Sequence, residues 1–542
     1  MKPQNSENQA ENRRIAIFAA TMAAGTMFSR VLGLIRDIVT TTVFDRTVTD
    51  AWLVAYRLPN LFRRILGEGS LSIAFIPVFV STLTKDPNYK ENSQAQQLAN
   101  GIFTLLLGGL TVLTALGIIY AETVLSYLVP GEGFMSIPGK FELTVYMAKI
   151  MFGFIFFISV YAYFMALLNS FKRFVAGAFA PTLFNISLIA SAYVPHSEVH
   201  QGENLAWAVL IGGFLQAAAL IPSLIHQGCL PKLTLKLNSP ELKKVFSSMI
   251  PSWVGVGILQ ITGLINVRLG SELGEGTHSW IYIADRILEL PLALFAVSVG
   301  SALLPTLSQY WSRGQKDEMI ETTTYYIKLT LFLSVPAAVG LYLLATPIVE
   351  VLFHHGKFSV KDVQMTSSLL KIYSFAILTY GGIRVIVAPF YAIHNTWVPA
   401  VISAVCLLFH WMAASHWVYV WGVKGITASS VMSSAVNLTL LLSFHTYFVG
   451  SLRFLNLLKS FATYALCAII MGLFLAQHQY IYETLEGLLL KPRLSQQLSL
   501  FFTISGGILI YFIAAYSLNA DGFQDIVGRL KAKIFRKSLK KP

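Results

Sequence analysis

The sequence has little charge. Charged residues make up 12% of its 542 positions and hydrophobic residues 55%, whereas an ordinary soluble domain is about 25% charged. A soluble chain this apolar could not cover itself with polar surface. Acidic residues are the scarcer sign: Asp and Glu number 27 against 40 Lys and Arg. Cysteine is nearly absent, and Cys229, Cys406 and Cys467 lie in or beside apolar segments with no pair at metal or redox spacing. That excludes a disulfide framework and leaves three small buried hydrophobes. There is no P-loop and no hydrolase triad at a motif-like spacing, so neither ATP hydrolysis nor any other catalytic role is expected. The polar residues 1–14 run into an apolar stretch without an A-x-A site, so no cleaved signal peptide is expected. Two adjacent histidines, His354 and His355, do not make a metal site. No metal, cofactor or nucleic-acid partner is expected.

What is abundant is long apolar sequence. Residues 98–120, 146–168 and 500–515 are nearly free of charge. A helix needs about 20 apolar residues to cross the hydrocarbon, and only helices or closed barrels satisfy their own backbone there. These runs far exceed the roughly 10-residue alternating strands of a barrel. The expected fold is an all-α polytopic membrane protein of about fourteen transmembrane helices. The spans are placed at 15–44, 48–83, 97–122, 143–169, 174–195, 204–226, 244–271, 279–311, 322–346, 364–392, 397–417, 423–447, 457–479 and 496–518. An even number puts both termini on one side. With that side cytoplasmic, its segments hold about 22 Lys and Arg against about 7 opposite, in line with the positive-inside rule.

A faint internal repeat organises these spans. Trp52, Ser70, Ala74 and Pro77 stand 228 residues before Trp280, Ser298, Ala302 and Pro305. Ala166 and Asn169 stand 226 before Ala392 and Asn395. Six helices separate the copies, so both have the same orientation, with an axis along the membrane normal and a substrate site at their interface. The expected division is two pseudo-symmetric six-helix lobes, 1–235 and 236–450, then two further helices over 451–520 and a basic cytoplasmic tail, 521–542.

Charge inside the spans is the informative feature. About 11 of the 40 basic residues fall there, and each costs about 2.5–3.5 kcal/mol at mid-membrane even on the lenient scale. Arg30 and Arg36 are in the first span, Arg57, Arg63 and Arg64 in the second, and Arg286 in the eighth. Facing lipid they would be prohibitive, so they are expected to line a hydrated interior. At 100° per residue Arg57, Arg64 and Glu68 share one face, with Arg63 to one side and Pro59 able to kink the helix. The carboxylates Asp37, Glu68, Asp285 and Glu289 neutralise only part of this charge. Guanidinium cannot shed its proton, and its planar fork suits bidentate contact with phosphate. The surplus reads as a site for an anion.

At these residues the chain resembles the MurJ (MviN) family of lipid II flippases, in the multidrug/oligosaccharidyl-lipid/polysaccharide exporter superfamily. The matching stretches are Thr26-Met-Phe-Ser-Arg-Val-Leu-Gly-Leu-Ile-Arg-Asp37, Thr49-Asp-Ala51, and Arg57-Leu-Pro-Asn-Leu-Phe-Arg-Arg-Ile-Leu-Gly-Glu-Gly69. They continue with Ala178-Phe-Ala-Pro-Thr-Leu-Phe-Asn-Ile-Ser187, Ala206-Trp-Ala-Val209, Ser279-Trp-Ile-Tyr-Ile-Ala-Asp-Arg-Ile-Leu-Glu-Leu-Pro291 and Gly356-Lys-Phe358. The resemblance implies a 14-helix fold with alternating access around a cationic cavity. It implies export of the undecaprenyl-diphosphate-linked peptidoglycan precursor, lipid II, from the inner to the outer leaflet of a bacterial inner membrane. It implies substrate contacts from Arg30, Arg36, Arg63 and Arg286, and places Asp37, Asp50, Asn60, Glu68, Asp285 and Glu289 on family motifs. Arg57 and Arg384 stand where the family often has Lys. Periodicity favours Arg64 and the resemblance favours Arg63; the expected binding set keeps both, with Arg57 and Asn60, and leaves the acids and Arg384 to support or gate. Cell-wall synthesis machinery is a candidate partner.

For some members the resemblance also implies a sodium site from acidic side chains on spans 7, 11 and 12. Those spans hold no interior Asp or Glu here, with Asn266 and Asn437 the nearest polar candidates. The driving force is left between the membrane potential and a monovalent cation. Alternative readings are an exporter of another polyprenyl-diphosphate-linked saccharide or of drugs, a polytopic membrane glycosyltransferase, or a non-transporting scaffold. A drug-cation exporter should carry unpaired carboxylates rather than surplus arginines. A glycosyltransferase needs an acidic extramembrane loop, and the longest loops here run to only about 20 residues.

Overall fold

The computed structural model describes residues 3–65, 71–85, 93–195, 201–299, 303–489, 491–525 and 527–528. Among these every regular element is a helix. The chain forms two compact units: Met1–Ser279 with His355–Lys357, and Trp280–His354 with Phe358–Pro542.

The first unit contains α1 (Pro3–Val43), α2 (Arg46–Ile65), α3 (Leu71–Lys85), α4 (Gln94–Ile119), α5 (Ala121–Leu128), α6 (Glu132–Met135), α7 (Lys140–Ser170), α8 (Val175–Ser191), α9 (Glu203–Ala218), α10 (Ile221–His226) and α11 (Pro240–Gly270). The next helix, α12 (Thr277–Val299), begins in this unit and continues in the second. The second unit goes on with α13 (Leu303–Ser312), α14 (Lys316–Leu343), α15 (Ala345–Phe353), α16 (Val360–Ser374), α17 (Ala376–Ala392), α18 (Trp397–Trp421), α19 (Val423–Phe448), α20 (Phe454–Leu475), α21 (His478–Leu489) and α22 (Pro492–Ser517).

In the first unit α7 is the central helix. Of its apolar window 72% is buried, against 11% for α4, and it packs on α2, α3, α4 and α9. Its apolar residues run all round the helix, as a buried span requires. In the second unit α14 packs against α17 and α20, and α18 pairs with α19.

Among the described residues nine helical segments are long and apolar enough to cross a membrane: α4, α7, α9–α10, α14, α16–α17, α18, α19, α20–α21 and α22. The other five expected spans overlap α1, α2 and α3, α8, α11, and α12 and α13; of these, α8 is too short to meet that standard by itself and α2 too highly charged. In α2 the reason is physical: Arg46, Asp50, Arg57, Arg63 and Arg64 all lie within 20 residues. Five short helices, α5, α6, α10, α15 and α21, occupy sequence read as loop or span end.

The repeat is visible in the backbone of each unit. Tyr120 ends α4 and starts α5 with φ −97° and ψ 10°. Leu344, 224 residues on, ends α14 and starts α15 with φ −98° and ψ 13°. Lys172 after α7 and His394 after α17, 222 residues apart, both have φ +59°. Each is followed by a residue whose N–H reaches back five positions, Arg173 to Leu168 O and Asn395 to Phe390 O, both at 2.9 Å. The turn therefore aligns at an offset of 222, so the Asn169–Asn395 match at 226 is not the structural register. The division at 279/280 is one of packing, whereas the expected lobes 1–235 and 236–450 are a division by repeat; α11, counted with the second lobe by repeat, packs on α2 and α3.

Candidate functional site

In the first unit the cationic helices are α1 and α2. Arg36 is 8% exposed. Its Nε and Nη2 donate to Asp37 Oδ1 at 2.9 and 2.6 Å, and its Nη1 donates to Asn185 Oδ1 of α8 at 3.2 Å. Asn185 Nδ2 in turn donates to Ser29 O at 2.9 Å. The guanidinium is thus held in one orientation by an acid on its own helix and an amide on the neighbouring one. Arg30, two turns earlier, is exposed and makes no hydrogen bond or ion pair to any described residue.

On α2, Arg63 Nε donates to Asn60 Oδ1 at 2.8 Å, an i, i+3 brace along the helix. Arg64 is half-buried, and its Nε has no partner among the described residues. Arg57 lies against the backbone of α11: a Cβ at Gly263 would overlap its guanidinium. Only a residue without a side chain permits that approach. Glu68 lies outside the described residues.

At the start of α2 stands a buried polar knot. Asp50 is wholly buried. It accepts from Lys140 Nζ at 2.9 Å, from Gly276 N–H at 2.8 Å, and from Ser279 N–H and Oγ at 2.9 and 2.7 Å. Lys140 is 1% exposed, and its ammonium also sits 4.5 Å from the centre of the Phe134 ring. Four donors on one carboxylate, one of them charged, offset the cost of burying both ions. Asp50 thereby fixes α2 to the first turn of α7 and caps the first turn of α12.

Close by, Gly356 has φ +55° and its backbone presses against Thr42, where a Cβ would overlap the Thr42 carbonyl. Lys357 N–H donates to Thr42 O at 2.9 Å. This accounts for glycine in the Gly356-Lys-Phe358 stretch.

In the second unit Arg286 Nη1 pairs with Glu289 Oε2 at 2.9 Å, an i, i+3 bridge on a partly exposed face of α12. Asp285 beside it is exposed, as is Arg384 on α17. Trp280 Nε1 donates to Asp362 Oδ1 at 2.6 Å, and Asp362 closes a capping box with Ser359 at the start of α16. Asn437 Oδ1 on α19 is buried with no hydrogen-bond partner among the described residues.

Two features of this chemistry went unread in the sequence. Lys140 sits at the edge of a predicted span and looks like an interfacial cation. Arg46, 7% exposed, donates to Thr41 O and Phe44 O at 2.8 and 2.9 Å across the α1–α2 turn. Both are basic residues before an apolar run, and only the tertiary partner tells such a residue from a surface anchor.

The model of the lipid II flippase MurJ family matches residues 39–491. The chain belongs to that family. A probable lipid II flippase MurJ from Bdellovibrio bacteriovorus is 42% identical over 524 residues, covering 96% of this chain and 98% of the relative. The lipid II flippase MurJ of Burkholderia cenocepacia is 34% identical over 428 residues, 78% and 82% of the two chains. Among solved structures, a lipid II flippase MurJ in an inward closed conformation matches with a TM-score of 0.74 at 23% identity, over 93% of this chain and 99% of that one. An inward-facing multidrug resistance MATE transporter matches at 0.65 and 15% identity, over 81% and 99%. At these identities the two structures establish the fold, which is that of the MurJ and MATE transporters. The family is one of transporters rather than enzymes, and the chain is a polytopic membrane protein.

Proposed function

We propose that this chain moves lipid II from the inner to the outer leaflet of the bacterial cytoplasmic membrane by alternating access, with both termini in the cytoplasm. Arg30, Arg36, Arg57, Arg63, Arg64 and Arg286, with Asn60, are the residues proposed to bind the substrate. Asp37, Asp50, Glu68, Asp285, Glu289 and Arg384 position these groups or gate access to them. The relatives' names support the substrate. The observation that carries the reading is the cationic end of α2, where Arg57, Arg63 and Arg64 fall within eight residues and Arg63 is braced by an amide. Three guanidinium groups so close together favour an anion with several oxygens, as a diphosphate has.

The physics of the cargo explains the arrangement. A polyprenyl tail buries about 0.8 kcal/mol per CH₂ and stays in the membrane, while the diphosphate and sugars cannot enter hydrocarbon. The protein supplies a wet, positive path for the head group and leaves the tail in lipid. The membrane potential drives the step: an anion moving outward from a negative interior gains about 2.3 kcal/mol per charge per 100 mV. Collapse of the potential should then slow flipping, and an unchanged rate would remove that part of the proposal. Cell-wall synthesis enzymes are proposed as partners that consume the flipped lipid.

The test is depletion and rescue in cells. Loss of the chain should leave lipid-linked precursor on the inner leaflet and arrest peptidoglycan synthesis and cell shape. Arg36→Ala and Arg63→Ala should fail to rescue although the protein reaches the membrane. Full rescue by both would overturn the assignment.

A further inference from the structure

The second unit holds a polar cavity whose lining includes none of the residues assigned above to lipid II. Its volume is about 330 Å³, and its lining includes Lys328 of α14, Asn456, Lys459, Ser460 and Thr463 of α20, and Asp521 just beyond α22. Lys328 Nζ donates to Asp521 Oδ2 at 2.7 Å, and Ser460 Oγ donates to the same oxygen at 3.1 Å. That carboxylate is therefore already neutralised. Lys459 is exposed, and its side chain makes no hydrogen bond or ion pair to any described residue. The first turn of α20 lies at the same end of the cavity, and the helix dipole adds partial positive charge there. The net character is that of one uncompensated cation among neutral donors.

The surroundings decide what kind of anion fits. Phe454 and Leu455 at the start of α20 are 67% and 73% exposed, Leu458 is 52% exposed, and Tyr516 at the end of α22 is 70% exposed. Large apolar and aromatic side chains beside a polar cavity at helix ends mark a membrane–water boundary. A free anion has no use for that rim, whereas a lipid lays its acyl chains along it. We propose that this cavity binds the phosphodiester head group of an anionic phospholipid, with Lys459 as the principal charge. The proposed topology puts it in the cytoplasmic leaflet. It is independent of the lipid II assignment, because it shares no residue with the diphosphate site.

The test uses the full chain in detergent, with relipidation by phosphatidylglycerol, by phosphatidylcholine, or by addition of inorganic phosphate. Thermal unfolding and native mass spectrometry read the outcome. Phosphatidylglycerol should be retained and should raise the melting temperature, while phosphatidylcholine and inorganic phosphate should not. Lys459→Ala should weaken phosphatidylglycerol binding about fivefold and Lys459→Arg should retain it; the side chain is exposed, so both variants should fold. Equal retention of the two phospholipids, or unchanged binding in Lys459→Ala, would overturn the proposal. Protection by inorganic phosphate equal to that by phosphatidylglycerol would overturn the lipid assignment. Loss of lipid II flipping in an Arg36 variant that still binds phosphatidylglycerol would separate the two sites.

Discussion

Helices α2 and α12 stand at corresponding places in the two copies of the repeat, Trp52 matching Trp280, yet they are anchored and charged in different ways. The start of α2 is fixed by a buried ion pair, Asp50–Lys140, with both side chains at most 1% exposed. The corresponding end of α12, capped by that same Asp50, adds a neutral donor of its own, the Trp280 indole, on the carboxylate of Asp362. Trp52 does not repeat that bond: its Nε1 has no hydrogen-bond partner among the described residues, and its ring stacks on Tyr56 at 5.8 Å between centroids. Farther along, α2 carries Arg57, Arg63 and Arg64, while α12 carries Asp285, Arg286 and Glu289. One backbone plan therefore holds a cationic surplus in the first copy and a near balance in the second. The scaffold is shared, and the cationic surplus belongs to one copy.

The largest expected effect comes from breaking the buried pair. Removing one partner of such a pair costs about 3–5 kcal/mol. Lys140→Met should fall in that range by unfolding in detergent, and Asp50→Ala should exceed it, because it also orphans the N–H groups of Gly276 and Ser279. A loss in Lys140→Met no larger than that in Trp280→Phe would erase the contrast between the copies. Next, Gly263→Ala drives a methyl into the Arg57 guanidinium, and overpacking of this kind costs about 1–3 kcal/mol. Truncating Arg57 to Ala in the same chain should restore most of that stability; no recovery would mean that Arg57 does not occupy the space. Trp280→Phe leaves Asp362 with its two Ser359 bonds, so the expected loss is about 1–2 kcal/mol.

The smallest effect sharpens the comparison by holding the chemistry fixed. Lys328–Asp521 in the second unit is also a Lys–Asp pair, but its side chains are 20% and 53% exposed. Solvent screens it, and Asp521→Asn should cost less than about 1 kcal/mol. The hydrogen bond from Lys328 holds the Asp521 carboxyl below its ordinary value of 3.8. A depressed carboxyl stabilises the fold above its unfolded pKa and loses that contribution as pH falls through the folded value. The gap in melting temperature between the native chain and Asp521→Asn should therefore be constant near neutrality and close below about pH 4. A gap that widens on acidification would reverse the sign.

Much of this was legible in the sequence because membrane spans are written in composition. Apolar runs gave the helices, and Arg30, Arg36, Arg57, Arg63 and Arg64 stood out because each is expensive in hydrocarbon. The short helices α5 and α15 were not legible: each follows a long apolar helix without a break residue, and only the backbone bend at Tyr120 or Leu344 separates them. The Asp50–Lys140 pair was invisible because its members are 90 residues apart and neither carries a local signal of its partner. Periodicity placed Arg57 and Arg64 on one stripe with Arg63 beside it, but it could not show that Asn60 braces Arg63 or that Gly263 makes room for Arg57. Those facts depend on the packing of α11 against α2.

The central claim is that the guanidinium groups of α1 and α2 carry the lipid's diphosphate. It is tested most directly in liposomes containing the purified chain and a fluorescent lipid II, with a membrane-impermeant quencher reporting transfer between leaflets. The native chain should transfer the lipid, and Arg36→Ala and Arg63→Ala should each lower the rate at least about tenfold, one RT-scaled decade for a lost charge-assisted contact, with the fold intact by thermal unfolding. Native rates in both variants would contradict the account.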